Sequence, residues 1–261
     1  MMKALYKSEV HKELLKYKNE EQDERITEKD ISHLPRPVRT YFRYCGYLGQ
    51  VKMKNAEIVW DEFNLRLAPN KPWMKVKSKQ FNSVPEPARI AYMNSRMMGI
   101  VPFEGRDKYQ DGHGNMRIKL LKWFQVADAK GTEMDESALV TLLAETLLVP
   151  SYALQPYMTW TSIDHYTAKA EIQHNDHNVS GIFTFNGQGE FIRFETNDRY
   201  YSEKGTEYKK LKWSVVASNY IDNNRMKYPS CIQAMWHLDQ EVYLYFTGII
   251  RSINYNITMI T

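Results

Sequence analysis

The apolar positions of this chain repeat first with a helical period and then, for most of its length, with the period of strands. Residues 7–22 form a charged stretch of helical spacing, with a thin apolar stripe at Val10, Leu14, Leu15 and Tyr17 or Lys18. Glu20-Glu21-Gln22-Asp23-Glu24-Arg25 reads as a solvated linker. Thr27-Glu28-Lys29-Asp30 ahead of Ile31 has the pattern of a capping box that opens a short helix. In residues 34–46, Pro35 and Pro37 sit where a helix can begin and Gly46 where one should end. At about 100° per residue, Val38, Tyr41, Phe42 and Cys45 share one face of that helix. Arg36, Arg39 and Arg43 share the other.

From about residue 50 the texture changes to short runs rich in β-branched and aromatic residues. Strands are predicted over 51–61, 73–83, 89–98, 101–110 and 115–126, separated by Asn70-Lys71-Pro72, Pro85-Glu86-Pro87 and Asp111-Gly112-His113-Gly114. One helix interrupts them at 135–148. Asp135 or Thr132 can cap it, Pro150 stops it, and Ala138, Leu139, Leu142, Leu143 and Leu147 give it a broad apolar face. Strands resume over 159–163, 168–174, 179–186, 190–200, 208–220, 227–237 and 241–256, with Asn186-Gly187-Gln188-Gly189 as a hairpin turn. So many short antiparallel strands must curl to protect their edges. The expected fold is therefore α+β: a highly curved, mostly antiparallel sheet, or half-open barrel, with the long helix across its concave side. Residues 1–33 are expected to form a helical arm and linker, and residues 34–261 one curved-sheet domain.

Composition narrows the class without naming a reaction. The chain has 261 residues, is 43% hydrophobic and 25% charged, and carries a net charge of +4, which neither demands nor excludes an anionic partner. It has no apolar run long enough to cross a membrane, and its first residues turn polar too early for a signal peptide. With Met1 as the native start, a cytoplasmic location is expected. Two cysteines, Cys45 and Cys231, make neither a disulfide framework nor a zinc site.

Several strands do not alternate as half-buried strands should. Val242-Tyr243-Leu244-Tyr245-Phe246 and Ile90-Ala91-Tyr92-Met93 are apolar on both faces, and Phe183 and Phe185 fall on one side of theirs. Either helices cover the second face, or part of the concave surface lines a cavity for an apolar or amphipathic, lipid-like molecule. Methionines suit the wall of such a cavity. The candidate ligand-binding residues are Met93, Met97, Met116, Phe183, Phe185, Tyr243 and Tyr245. A concavity filled by the protein's own side chains, with no pocket of about 300 Å³ or more, would defeat this reading.

Other candidates are weaker. Glu145 sits among leucines, where a carboxylate can gain a raised pKa and act as acid or base. The competing role is an ion pair with a strand arginine such as Arg96, Arg106 or Arg199. His174 and His177 flank Asn175-Asp176, which is turn chemistry, and they lack further ligands for a metal. Asp111-Gly112-His113-Gly114 lacks the lysine and the helix of a phosphate loop. No cofactor is indicated. Arg36, Arg39 and Arg43 form a one-sided stripe suited to an anionic membrane surface, and Lys75, Lys77 and Lys79 alternate along one strand. The aromatics are spread along the chain instead of being gathered in a basic patch, so nucleic acid is not expected as a partner. The pattern specifies no oligomeric state.

At residues 34–44 and again over 105–116, 131–135, 143–145 and 150–154, the chain resembles an uncharacterised bacterial family known as a domain of unknown function. The likeness continues through Trp160, Ile163 and Asp164 to 251–255, and so covers about 26–256. It implies a fold like the curved half-barrel of the lipoprotein-carrier superfamily, in which a helix-covered concave sheet holds acyl chains. The resemblance carries no activity. Many relatives have membrane segments ahead of the Leu-Pro-x-Pro motif, whereas this chain has a polar helix there, so no membrane tether is expected.

Overall fold

A computed structural model describes residues 2–17, 24–97, 100–121, 124–203 and 207–260. The chain begins with α1 (Met2–Lys16), α2 (Glu28–Ile31) and α3 (Arg36–Tyr44). Six strands follow: β1 (Asn55–Leu65), the two-residue β2 (Met74–Lys75), β3 (Lys77–Ser83), β4 (Ala88–Met97), β5 (Val101–Gln110) and β6 (His113–Leu120). After β7 (Phe124–Ala129), helix α4 (Thr132–Ala144) and a 3-10 turn at Pro150–Leu154 lead into the second series. That series is β8 (Met158–Ser162), β9 (Thr167–His174), β10 (His177–Phe185), β11 (Phe191–Tyr201), β12 (Lys209–Asn223), β13 (Met226–His237) and β14 (Val242–Tyr255).

All these strands join one antiparallel sheet in the order β7-β6-β5-β4-β3-β1-β14-β13-β12-β11-β10-β9-β8, with β2 paired to β1. The connection is two meanders that share a seam, where β1 pairs with β14 from Ala56↔Tyr255 to Leu65↔Phe246. One wing runs out from β1 to β7 and the other returns from β8 to β14. The sheet is curled, and α4 passes between the wings, packing on β5 and β6 of the first and on β9, β10 and β11 of the second. This is the expected half-barrel with a helix in its concavity.

Local chemistry explains the best-defined elements. Thr27 and Asp30 form a reciprocal capping box on α2. Helix α3 carries proline at its start and ends at Gly46, whose φ of +74° suits glycine. Val38, Tyr41, Phe42 and Cys45 on its apolar face are all buried in the main core.

Three expectations need correction. Helix α1 starts at Met2 and buries Met2, Tyr6, Val10 and Glu13, while Leu15 is exposed. It lies on the outer face of the first wing, against Phe81, Ile90 and Tyr92. The run 115–126 is two strands and not one, because Leu121 turns the chain with φ +51°. Helix α4 begins at Thr132 with Gly131 as its N-cap, and the Asp135 carboxylate instead accepts the Gly114 backbone N–H.

Candidate functional site

A cavity of about 260 Å³ lies between α4 and the concave face of the sheet. Both wings build it. The seam and first wing supply Trp60, Phe63, Leu65, Ala91, Met93 and Met116, and the second wing Phe191, Trp213, Val215, Ile232, Ala234, Tyr245 and Phe246. Met134, Thr141, Ala144 and Glu145 come from α4 or its C-cap. The outward residues of β4, Ile90 and Tyr92, are covered by α1, while the inward ones, Ala91 and Met93, face the cavity. The doubly apolar strand thus reflects a helix on one face and a cavity on the other.

At one end Trp60, Phe63 and Phe246 pack edge to face, with ring centroids 4.8–5.6 Å apart. At the other, polar residues are held in a closed network. Arg89 Nε donates to both oxygens of Glu145, at 2.9 and 3.0 Å, and its Nη1 donates to Asp107 at 2.8 Å. Gln80 and Asn82 on β3 also donate to Glu145 Oε2, at 2.7 and 3.3 Å. Burial works against the Arg89 charge, but Glu145 and Asp107 outweigh it and hold the guanidinium pKa above its ordinary value. The partner of Glu145 is therefore Arg89, and not Arg96, Arg106 or Arg199. Donors from three side chains, one of them a buried guanidinium, hold this carboxylate in an ion pair. The acid–base reading of Glu145 needed a carboxylate outside such a pair.

Arg199 is held differently. Its Nη1 donates to the Ser137 carbonyl at 2.7 Å and to the Thr141 hydroxyl, and its guanidinium lies 4.4 Å from the Trp213 ring centroid. Among the described residues no carboxylate forms an ion pair with it. Its Nε and the Trp60 Nε1, both buried, lack hydrogen-bond partners. Such orphaned donors are uncommon, and each calls for an explanation.

Of the residues singled out in the sequence, Met93, Met116 and Tyr245 are on the cavity wall. Phe183 and Phe185 pack into the protein's own core, Phe183 against Trp160, Phe191 and Phe194, and Phe185 against Tyr41 and Phe191. Tyr243 is also buried away from the cavity and donates its hydroxyl to the Arg66 carbonyl. The side chain of Met97 lies outside the described residues. Sequence reasoning named Arg199 only as a partner for Glu145, and it missed Arg89, Trp60, Phe63 and Trp213. The bulge in β1 between Val59 and Glu62 sets Trp60 beside Phe63 and leaves no period-two pattern that would flag them.

The arginine stripe is partly engaged: Arg43 forms a bidentate pair with Glu28, while Arg36 is exposed. His174 bridges Tyr109 and Glu86, which is a structural role. No helix among the described residues is long and apolar enough to cross a membrane.

Comparison with known proteins adds a family and a distant likeness. No curated protein matches the chain. A solved LolA superfamily protein from Nitrosomonas europaea is similar over 84% of this chain and 94% of its own, at 9% identity and a TM-score of 0.44. Residues 24–248 match DUF6544, so this cavity-bearing half-barrel belongs to a family of unknown function.

Proposed function

We propose that the protein binds an apolar or amphipathic, lipid-like molecule in the cavity under α4 and does not transform it. The observation that carries this reading is an apolar cavity wall that includes one cation, Arg199, with no carboxylate partner among the described residues. Trp60, Phe63, Met93, Met116 and Phe246 offer a wall that favours hydrocarbon. Arg199 offers a cation without a carboxylate partner, fit for the polar head of the same molecule.

Size limits the ligand. At about 260 Å³ the concavity is open and not filled, but it falls a little short of the roughly 300 Å³ expected from the sequence, so the ligand must be smaller than a drug-sized one. The cavity is well above the roughly 150 Å³ at which a dry apolar cavity already takes up benzene. One slim chain fits this range better than a multi-chain lipid.

The test is calorimetric titration with n-decanol and with decanoate, beside a native mass of the freshly purified protein. Saturable binding of one molecule per chain is expected, with decanoate favoured through Arg199. Ala234→Trp, which fills the wall with an indole, should remove the heat signal and leave the melting curve cooperative. If neither probe binds and the native mass is that of the bare chain, the reading fails.

A further inference from the structure

Three neighbouring loop tips at one end of the first wing combine basic residues with exposed apolar side chains. They are the connection from β1 through β2 to β3, the β4–β5 turn and the β6–β7 turn. The described residues of these tips, 65–77, 94–97, 100–102, 117–121 and 124, contain no Asp or Glu and include Arg66, Lys71, Lys75, Lys77, Arg96, Arg117 and Lys119. They also hold Leu67, Trp73, Ile100, Leu121 and Phe124, large apolar side chains that are 43–79% exposed. Strand register places all three tips on the same edge. Leu65 lies opposite Met74, Lys77 opposite Asn94, Met97 opposite Val101, and Leu120 opposite Phe124. At roughly 4.8 Å per strand, the rim from β1 to β7 is about 24 Å wide.

Two of these cations are engaged within the protein, Arg117 with Asp128 and Arg66 with the Leu244 carbonyl and the Trp73 and Tyr243 rings, but others are not. Lys71, Lys77 and Arg96 are exposed and form no ion pair among the described residues, and Lys75 reaches Glu62 only at 4.0 Å. The corresponding end of the second wing has the opposite character, with Glu203, Glu207, Asp239 and Glu241 in its turns.

We propose that this rim docks on an anionic lipid bilayer. Separate apolar tips interleaved with lysine and arginine suit a headgroup layer, where rings and aliphatic chains enter the interface and cations meet the lipid phosphates. A protein partner of comparable affinity would call for a continuous groove or a flat apolar patch with pockets. The rim also adjoins the apolar end of the cavity, since Phe63, Leu65 and Met93 lie on the rim-proximal halves of β1 and β4. The docking surface is thus the first wing's edge and not the Arg36, Arg39 and Arg43 face of α3.

Flotation of the full chain with vesicles of phosphatidylcholine, with and without phosphatidylglycerol, tests this directly. Binding to the phosphatidylglycerol vesicles and loss of binding without that lipid are expected. K71E and K77E should each weaken partition by about fivefold or more. The combined variant L67S/I100S/F124S should weaken it by about tenfold or more, with an unchanged melting curve because all three side chains are exposed. R36E/R43E should partition like the parent. Failure of the parent to float, equal flotation with both vesicle types, or sensitivity to R36E/R43E and not to the rim lysines would each overturn the proposal. The lysine variants keep the test decisive should the triple variant fold poorly. None of these outcomes depends on decanol or decanoate binding, so this proposal and the cavity reading can fail separately.

Discussion

Arg89 is the residue on which the closed end of the cavity depends. It is buried and serves two carboxylates at once, Glu145 from the C-cap of α4 and Asp107 from β5. Removing it leaves two carboxylates facing each other without a cation. Breaking a buried pair from one side costs about 3–5 kcal/mol, because the charge left behind has lost its solvation as well as its partner. Glu145→Gln is milder, since Arg89 keeps Asp107 and the amide still accepts a hydrogen bond; a loss of about 1–2 kcal/mol is expected. Urea unfolding of Arg89→Met and Glu145→Gln checks the order. Equal, small losses would mean that water screens the network. Glu145 stood out in the sequence because it lies among leucines. Its partner did not, because Arg89 is 56 residues away and a pair across the concavity leaves no local spacing to read.

At the level of elements, α4 is fixed to the first wing by a close approach at Gly114 on β6. A Cβ there would sit 2.2 Å from the Met134 carbonyl oxygen and 2.9 Å from the Ala138 Cβ. The backbone of the helix cannot yield without losing its contact with the strand, so Gly114→Ala should destabilise by about 1–3 kcal/mol through overpacking. Gly187, in the β10–β11 turn, has open space at the same position, and Gly187→Ala should stay within about 0.5 kcal/mol of the parent. Thermal melts of the two variants decide this; equal shifts would show that α4 is loosely seated. Elements that carry their own punctuation were legible in the sequence: α3 between its prolines and Gly46, the capping box at Thr27, and the hairpin at Asn186–Gly189. Elements held by tertiary contact were not. The β6–β7 turn passes through Leu121 in a left-handed conformation with no glycine to announce it. Likewise α4 starts after Gly131 without a side-chain cap, since Asp135 is spent on Gly114. Inward apolar residues on strands are equally compatible with a packed core and with a cavity, which is why Phe183 and Met93 looked alike and ended in different places.

The whole molecule is closed by contacts between distant parts of the chain. The seam joins Ala56 to Tyr255, and Asn256 continues it by accepting the Lys54 N–H and donating to the Lys52 carbonyl. α4 then ties the two wings across the concavity. Neither wing can lose its structure without exposing the walls that the other contributes to the cavity and the core. We therefore expect residues 34–261 to unfold as one unit, despite a length at which intermediates are common. Trp60 reports on the seam and Trp160, Trp213 and Trp236 on the second wing, so tryptophan fluorescence and far-ultraviolet circular dichroism should give coincident transitions. Because the cavity draws on both wings, a bound ligand should stabilise that single transition. Decanoate at about 100 times its dissociation constant should add about 2.7 kcal/mol and move both probes together. A fluorescence transition that rises while the dichroism curve stays would mean that the ligand holds the second wing alone. Two separated transitions in the free protein would show that the seam and α4 do not couple the wings.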